Sequence, residues 1–346
     1  METVWFALVA FMLSMYVLLD GFDLGAGAIH LFAAQTSLER RQILRAIGPV
    51  WDGNEVWLIA SGGTLFFTFP RLYAASFSGF YLPLMIVLWL LIVRGLAVEL
   101  RGHLDNPVWM SFWDGLFCVG SAALALVFGV ALANVVRGVP LDAQGYFFEP
   151  LWTNLDPRSA TPGIIDWYTL LIGLLALAAL IVHGANFTAL KTVGDVRTRA
   201  RTLAQRWWMV CVLLTVMSTV ATFWLRPALL GNFGARPWGA IWPIVAIAGL
   251  MGAGWFGRRG RDGLSLVASG AHLVGMLAST AFVVYPNVLP AVDPARSLTV
   301  TNAAAPPYGL AIGLVWWSIA MVLAAAYFVL IYSLFRGKVQ LTDEGY

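Results

Sequence analysis

Apolar residues recur along this chain in stretches long enough to cross a bilayer, separated by short polar or Pro/Gly-rich breaks. About 20 apolar helical residues span a hydrocarbon core of ~30 Å. The pattern predicts nine such spans, over residues 4–33, 50–69, 76–100, 109–135, 164–190, 204–225, 238–256, 263–285 and 307–335. The first is long enough to tilt or protrude. The second carries Asp52 and Glu55 where its lipid-depth portion begins, so eight is the alternative count. No interval between spans has room for a soluble domain, and residues 1–346 read as a single all-α integral membrane domain.

Composition strengthens this picture: 60% of residues are hydrophobic, 11% are charged and the mean hydropathy is +0.79. A soluble globule carries about 25% charged residues. The N-terminus lacks the basic region of a cleaved signal peptide, so the first span is expected to persist. Cys118 and Cys211, both inside apolar runs, read as packing residues. The net charge of +3 is too small and too scattered for nucleic-acid binding. The basic residues report topology instead, because Lys and Arg favour cytoplasmic loops. With the N-terminus outside, 15 of the 21 fall on the cytoplasmic side and 6 on the other. That bias predicts a cytoplasmic C-terminus, short basic inner loops, and outer loops at 137–162 and 287–306. Neither a dinucleotide fingerprint nor a phosphate-binding loop occurs, which disfavours ATP-driven transport.

Ionisable groups at membrane depth are expensive and need partners or a water path. Asp20 and Asp23 lie three residues apart on one face of the first span, within Asp20-Gly21-Phe22-Asp23-Leu24-Gly25. Gly21 and Gly25 form a small-xxx-small pair that admits a second helix. Asp52 and Glu55 share a face at the cytoplasmic start of the second span. The four carboxylates are therefore candidates for one inner-leaflet cluster. They can relay protons, since burial shifts carboxyl pKa values. They can equally cap helices and bridge between them, and a carboxylate metal site is a third reading. Of the four histidines, His183 and His272 lie well inside spans but at different depths, a poor match for two axial haem ligands. The run His183-Gly184-Ala185-Asn186 is expected to knit helices through hydrogen bonds, and no metal site is expected. Arg94, Glu99 and Arg101 near the end of the third span read as an inner-interface ion pair or anchor, the long basic side chains snorkelling to the headgroups.

The ordered motifs Asp20-Gly21-Phe22-Asp23-Leu24-Gly25, Trp51-Asp52-Gly53-Asn54-Glu55-Val56-Trp57, Phe77-Ser78-Gly79-Phe80-Tyr81, Gly138-Val139-Pro140 and His183-Gly184-Ala185-Asn186 span nearly the whole chain. Together they resemble subunit II of cytochrome bd-type quinol oxidases. The resemblance implies two four-helix bundles plus one extra helix, packed against a related, haem-bearing subunit I in a bacterial cytoplasmic membrane. It implies that subunit I carries haem b and haem d and that this chain ligates none. Quinol and O2 are then the substrates of the complex. A bound quinone and a small single-span accessory subunit are further expectations. By the same resemblance, Asp52 matches an acidic position on a proton path and Trp57 a position at the mouth of an oxygen route. The rival reading is a secondary transporter or cation channel, with Asp20, Asp23, Asp52 and Glu55 as a coupling-ion site.

Overall fold

The computed structural model describes residues 1–339; residues 340–346, with the C-terminus that the charge bias assigns to the cytoplasm, lie outside the described region. The chain folds as α1 (Glu2–Ala28), α2 (His30–Ala33), α3 (Ser37–Ile47), α4 (Trp51–Thr68), α5 (Pro70–Gly79), α6 (Tyr81–Leu100), α7 (Pro107–Arg137), α8 (Trp167–Lys191), α9 (Gly194–Leu225), α10 (Gly231–Ala235), α11 (Ile241–Arg258), α12 (Asp262–Val284) and α13 (Pro307–Leu334). A two-stranded antiparallel ribbon, β1 (Asn287–Leu289) with β2 (Leu298–Thr299), interrupts the helices between α12 and α13. Among the described residues, eight helices are long and apolar enough to cross a membrane: α1, α6, α7, α8, α9, α11 with the 3-10 turn before it, α12 and α13.

Two expected spans are reshaped. The third was expected to begin at residue 76, but the helix breaks at Phe80 and its apolar crossing starts at Tyr81, leaving α5 as a separate short helix. Pro70 at the first helical position starts α5 cleanly, having no N–H to leave unpaired. The first span ends at Ala28, and His30–Ala33 forms its own turn of helix. α4 is 18 residues long, about 27 Å at 1.5 Å per residue. Near its start Asn54 bonds to α1 at Asp23 and at the Leu19 carbonyl, 2.7 and 3.4 Å away. Near its far end Phe67 stacks edge-on to Trp5 of α1, and the Thr68 carbonyl accepts from the Ala305 N–H at 2.9 Å. α4 therefore runs antiparallel to α1 along most of its length.

The connections fall at two ends. One end holds α3, whose Thr36/Glu39 capping box fixes its start. There Arg199 pairs with Glu39, Arg197 and Arg201 with Asp262, and Lys338 caps the last carbonyls of α8. Burial opposes ionisation of Glu39, but the Gln35 and Thr36 N–H groups and Arg199 hold its carboxyl below the ordinary value. The other end carries the ribbon, a bridge from Val139 to Ala291, and a buried knot around Arg137. Arg137 donates to Glu149 at 2.7 Å, to Asp166, to the Asn134 side chain and to the Gly163 carbonyl. Burial pushes the Glu149 carboxyl up to about 7. Its Oε2 is enclosed and has no hydrogen-bond partner among the described residues.

α1 is the hub, packed against α4, α7, α8 and α12. Its contact with α8 is close because it is made by glycines: a Cβ on Gly25 would sit 1.9 Å from the Leu180 carbonyl oxygen, and one on Gly184 would sit 2.2 Å from the Ala26 nitrogen. Small residues let two backbones approach and substitute van der Waals contact for the hydrophobic effect that lipid cannot supply.

Candidate functional site

Asp20 and Asp23 are both fully buried on α1, and each has a different partner. Arg94 of α6 grips Asp20 with both terminal nitrogens, one at 3.0 Å and the other closer. A bidentate guanidinium–carboxylate pair is the strongest way to hold two charges out of water. Asp23 instead accepts from the Asn54 amide at 2.7 Å, and Tyr332 of α13 donates to the other side of that amide at 2.9 Å. Oδ1 of Asp23 is enclosed without a hydrogen-bond partner among the described residues. Glu55, one turn along α4, lies 3.7 Å from Arg94 and keeps 21% of its side chain exposed.

Asp52 stands at the opening turn of α4, exposed, and has no hydrogen-bond partner among the described residues. It supplies no side-chain cap to α4. The geometry thus brings Asp20, Asp23 and Glu55 around one guanidinium and leaves Asp52 on the surface beside Glu55. Sequence reasoning misplaced Arg101, which is buried against Asp114 instead of reaching the headgroups, and it misplaced Arg94. Arg94 is not at headgroup level but enclosed, with 0% exposure, six residues before the end of α6. Glu99 remains exposed. The signal was the depth itself: six residues place Arg94 about 9 Å inside the helix end, and three carboxylates on neighbouring spans offer it a closer partner than the headgroups do.

Trp57, one turn beyond Asn54, is 7% exposed and lies against Phe11 of α1 and Phe328 of α13, ring centroids 6.3 and 5.7 Å away. Its indole N–H is enclosed without a hydrogen-bond partner among the described residues. Gly21 faces Leu180 and Gly25 faces the α8 backbone. His183 uses both ring nitrogens, one to Ser269 of α12 at 2.8 Å and one to the Leu18 carbonyl of α1 at 3.0 Å. Asn186 accepts from the Ser265 hydroxyl at 3.0 Å. His272 faces the Ala246 carbonyl at 3.0 Å and the Cys211 sulfur at 3.8 Å. A network that the sequence did not suggest surrounds Asp114 on α7, which takes His30 at 2.7 Å, Arg101 at 2.6 Å and Arg40 at 3.1 Å. His30 reads from sequence as a helix-end residue because its partner lies 84 positions away. Among the described residues no group of three His, Cys, Asp or Glu is placed to hold a metal ion.

These features define a polytopic helical membrane protein with a carboxylate–guanidinium cluster buried toward one face. Residues 1–335 match the family described as cytochrome bd terminal oxidase subunit II, and the chain belongs to that family. It is accordingly a multi-pass inner-membrane protein and a subunit of a respiratory oxidoreductase complex. It is 32% identical to the probable cytochrome oxidase subunit 2 of Haemophilus influenzae over 97% of this chain and 94% of that one. It is also 32% identical to the cytochrome bd ubiquinol oxidase subunit 2 of Bacillus subtilis, over 90% and 88% respectively. In fold it resembles a chain of the bd oxidase from Geobacillus thermodenitrificans, with TM-score 0.74 and 17% identity over 96% of this chain and 98% of that one.

Proposed function

We propose that this chain is the haem-free subunit of a quinol:oxygen oxidoreductase, seated against a haem-bearing subunit I and admitting cytoplasmic protons toward the site of oxygen reduction. Haem b and haem d, held by subunit I, would supply the electron transfer and the reduction of O2. The histidine geometry supports that division. Both ring nitrogens of His183 are spent on Ser269 and the Leu18 carbonyl, His272 is turned to Ala246 and Cys211, and His30 is locked on Asp114. None of these three is presented to an axial position, and the fourth, His103, lies exposed beyond the end of α6.

We assign the chain nine crossings, with α4 as the second, the N-terminus outside and the end of α13 in the cytoplasm. In this plan α1, α4, α6 and α7 form one four-helix bundle, α8, α9, α11 and α12 the other, and α13 is the extra helix. The antiparallel run of α4 along α1 supports the count, although its opening acids lower its hydropathy. The observation that carries the proton assignment is the graded burial of one carboxylate series, exposed Asp52, partly exposed Glu55, then enclosed Asp20 and Asp23 beside Arg94. Asp52 collects a proton from water, Glu55 passes it inward, and Arg94 stabilises whichever carboxylate is ionised. Trp57 lines an apolar route for O2 at the same level. A coupling-cation site is disfavoured because the Arg94 guanidinium already occupies the centre that a cation would take. The test is purification with the partner. A haem-bearing complex whose quinol-dependent oxygen consumption takes up protons from the inner side supports the reading; a colourless homo-oligomer that accumulates solute in vesicles refutes it.

A further inference from the structure

We propose that this subunit carries a binding site for the phosphate headgroup of an anionic phospholipid, at the end of the molecule where α3, α8 and α13 meet. A cavity of about 220 Å³ opens there, lined by Arg45, Lys191, Arg336 and Lys338 with Phe187 and Tyr332. Among the described residues no carboxylate lines it. The cavity is built by the chain leaving α13: Lys191 donates to the Phe335 carbonyl at 2.6 Å, the Val339 N–H donates to the Lys191 carbonyl at 2.8 Å, and Lys338 caps Leu190 and Thr192 at 3.1 and 2.6 Å. These bonds hold the segment across the end of α8. Lys338 is spent on carbonyls, so its charge acts as a field. Among the described residues Lys191 keeps two N–H donors beyond its bond to Phe335, and the exposed Arg336 guanidinium keeps its planar fork, which matches phosphate oxygens.

The apolar surroundings select a lipid over a free anion. Leu330, Leu334 and Phe335 on the flank of α13 are 55%, 66% and 49% exposed next to this basic cavity. One ligand must therefore satisfy cations at one end and lie along an apolar helix at the other. Basic pockets between helices on the cytoplasmic side are where phospholipid headgroups bind, and each cation near an anionic surface adds a similar increment of affinity. The site rests on the membrane plan proposed above only in being at the cytoplasmic interface, and it is independent of the proton route.

The experiment uses the purified oxidase complex, stripped of lipid in detergent and titrated with dioleoylphosphatidylglycerol or dioleoylphosphatidylcholine while bound lipid is counted by native mass spectrometry. Phosphatidylglycerol is expected to bind selectively, and the double variant Lys191→Gln/Arg336→Gln to bind it about 30-fold more weakly, with quinol-dependent oxygen consumption in lipid-free detergent unchanged. Equal retention of the two lipids, or unchanged phosphatidylglycerol binding in the variant, overturns the proposal. Displacement of the bound lipid by millimolar inorganic phosphate identifies a free-anion site and also overturns it. Binding that appears only after residues 340–346 are deleted assigns the cavity to that acidic segment instead of to lipid. Topology is read separately by surface labelling, so a wrong orientation is not mistaken for a missing lipid site.

Discussion

Replacing Gly25 with alanine tests whether the α1–α8 contact sets the spacing of the whole subunit. The added Cβ would lie 1.9 Å from the Leu180 carbonyl oxygen and 2.8 Å from the Gly184 nitrogen. Ordinary carbon–oxygen contact begins near 3.3 Å, so the two backbones must part by roughly 1 Å or more, well beyond what side-chain adjustment provides in a close-packed interior. Such a shift would stretch the bond from His183 to the Leu18 carbonyl, now 3.0 Å, past hydrogen-bonding range. It would also open the opposing contact of Gly184 with Gly25 and Ala26. Overpacking costs about 1–3 kcal/mol and a lost hydrogen bond about 1 kcal/mol, so Gly25→Ala is expected to destabilise by roughly 2–4 kcal/mol. The assay is the thermal midpoint and haem yield of the purified complex, with Gly115→Ala as the control, since nothing lies within 4 Å of a Cβ there. If Gly25→Ala melts with the control and assembles fully, the glycine contact does not fix the spacing and the reasoning fails.

Asp52→Asn is expected to leave haem content normal while slowing oxygen consumption and proton uptake, because the amide keeps size but cannot release a proton; wild-type turnover across pH 6 to 8 in a fully assembled complex refutes the proton role. Arg94→Met strands Asp20 and Asp23 without their countercharge and should cost about 3–5 kcal/mol, read as lost assembly; Arg94→Lys should restore little, because one ammonium cannot engage both Asp20 oxygens as the guanidinium does. At the outer end, the folded protein keeps a proton on Glu149 up to about pH 7 that the unfolded chain loses near 4.5. Its contribution is full below pH 4.5, declines as pH rises to 7 and is flat above, since stability falls wherever the folded state binds more protons. Glu149→Gln should flatten that part of the melting profile, and an identical slope in the variant excludes Glu149 as its source. For topology, single cysteines replacing Ala160 and Thr198 should be labelled by a membrane-impermeant thiol reagent from outside and inside respectively, with little background because Cys118 and Cys211 are buried; labelling of position 198 in intact cells reverses the orientation.

The eight long apolar helices and the proximity of Asp20, Asp23 and Glu55 were legible because each is a local feature: an apolar run of bilayer length, or charges where charges are costly. Glycines four residues apart likewise pointed to close helix approach. What local pattern could not convey was pairing. Arg94 meets Asp20 across 74 residues, His30 meets Asp114 across 84, and Tyr332 reaches Asn54 across 278. Nothing within a helical turn of those residues announces the partner. The α5–α6 break at Phe80 was hidden for a different reason, since the apolar character continues through it and only backbone geometry changes. Arg94 illustrates both limits, because a basic residue near a helix end has two places to go and the choice depends on what faces it.

An arginine retains its proton at any pH the cell presents, which gives the Arg94 enclosure a fixed positive background. On the proposed proton route, each proton arriving there would settle on a carboxylate and raise the total charge of a medium with little water to screen it. The enclosure therefore resembles one plate of a charged capacitor, filling most readily when negative charge appears nearby and emptying when that charge is neutralised. On that same proposed route, an electron held close to such a plate and a proton entering it would lower one another's cost.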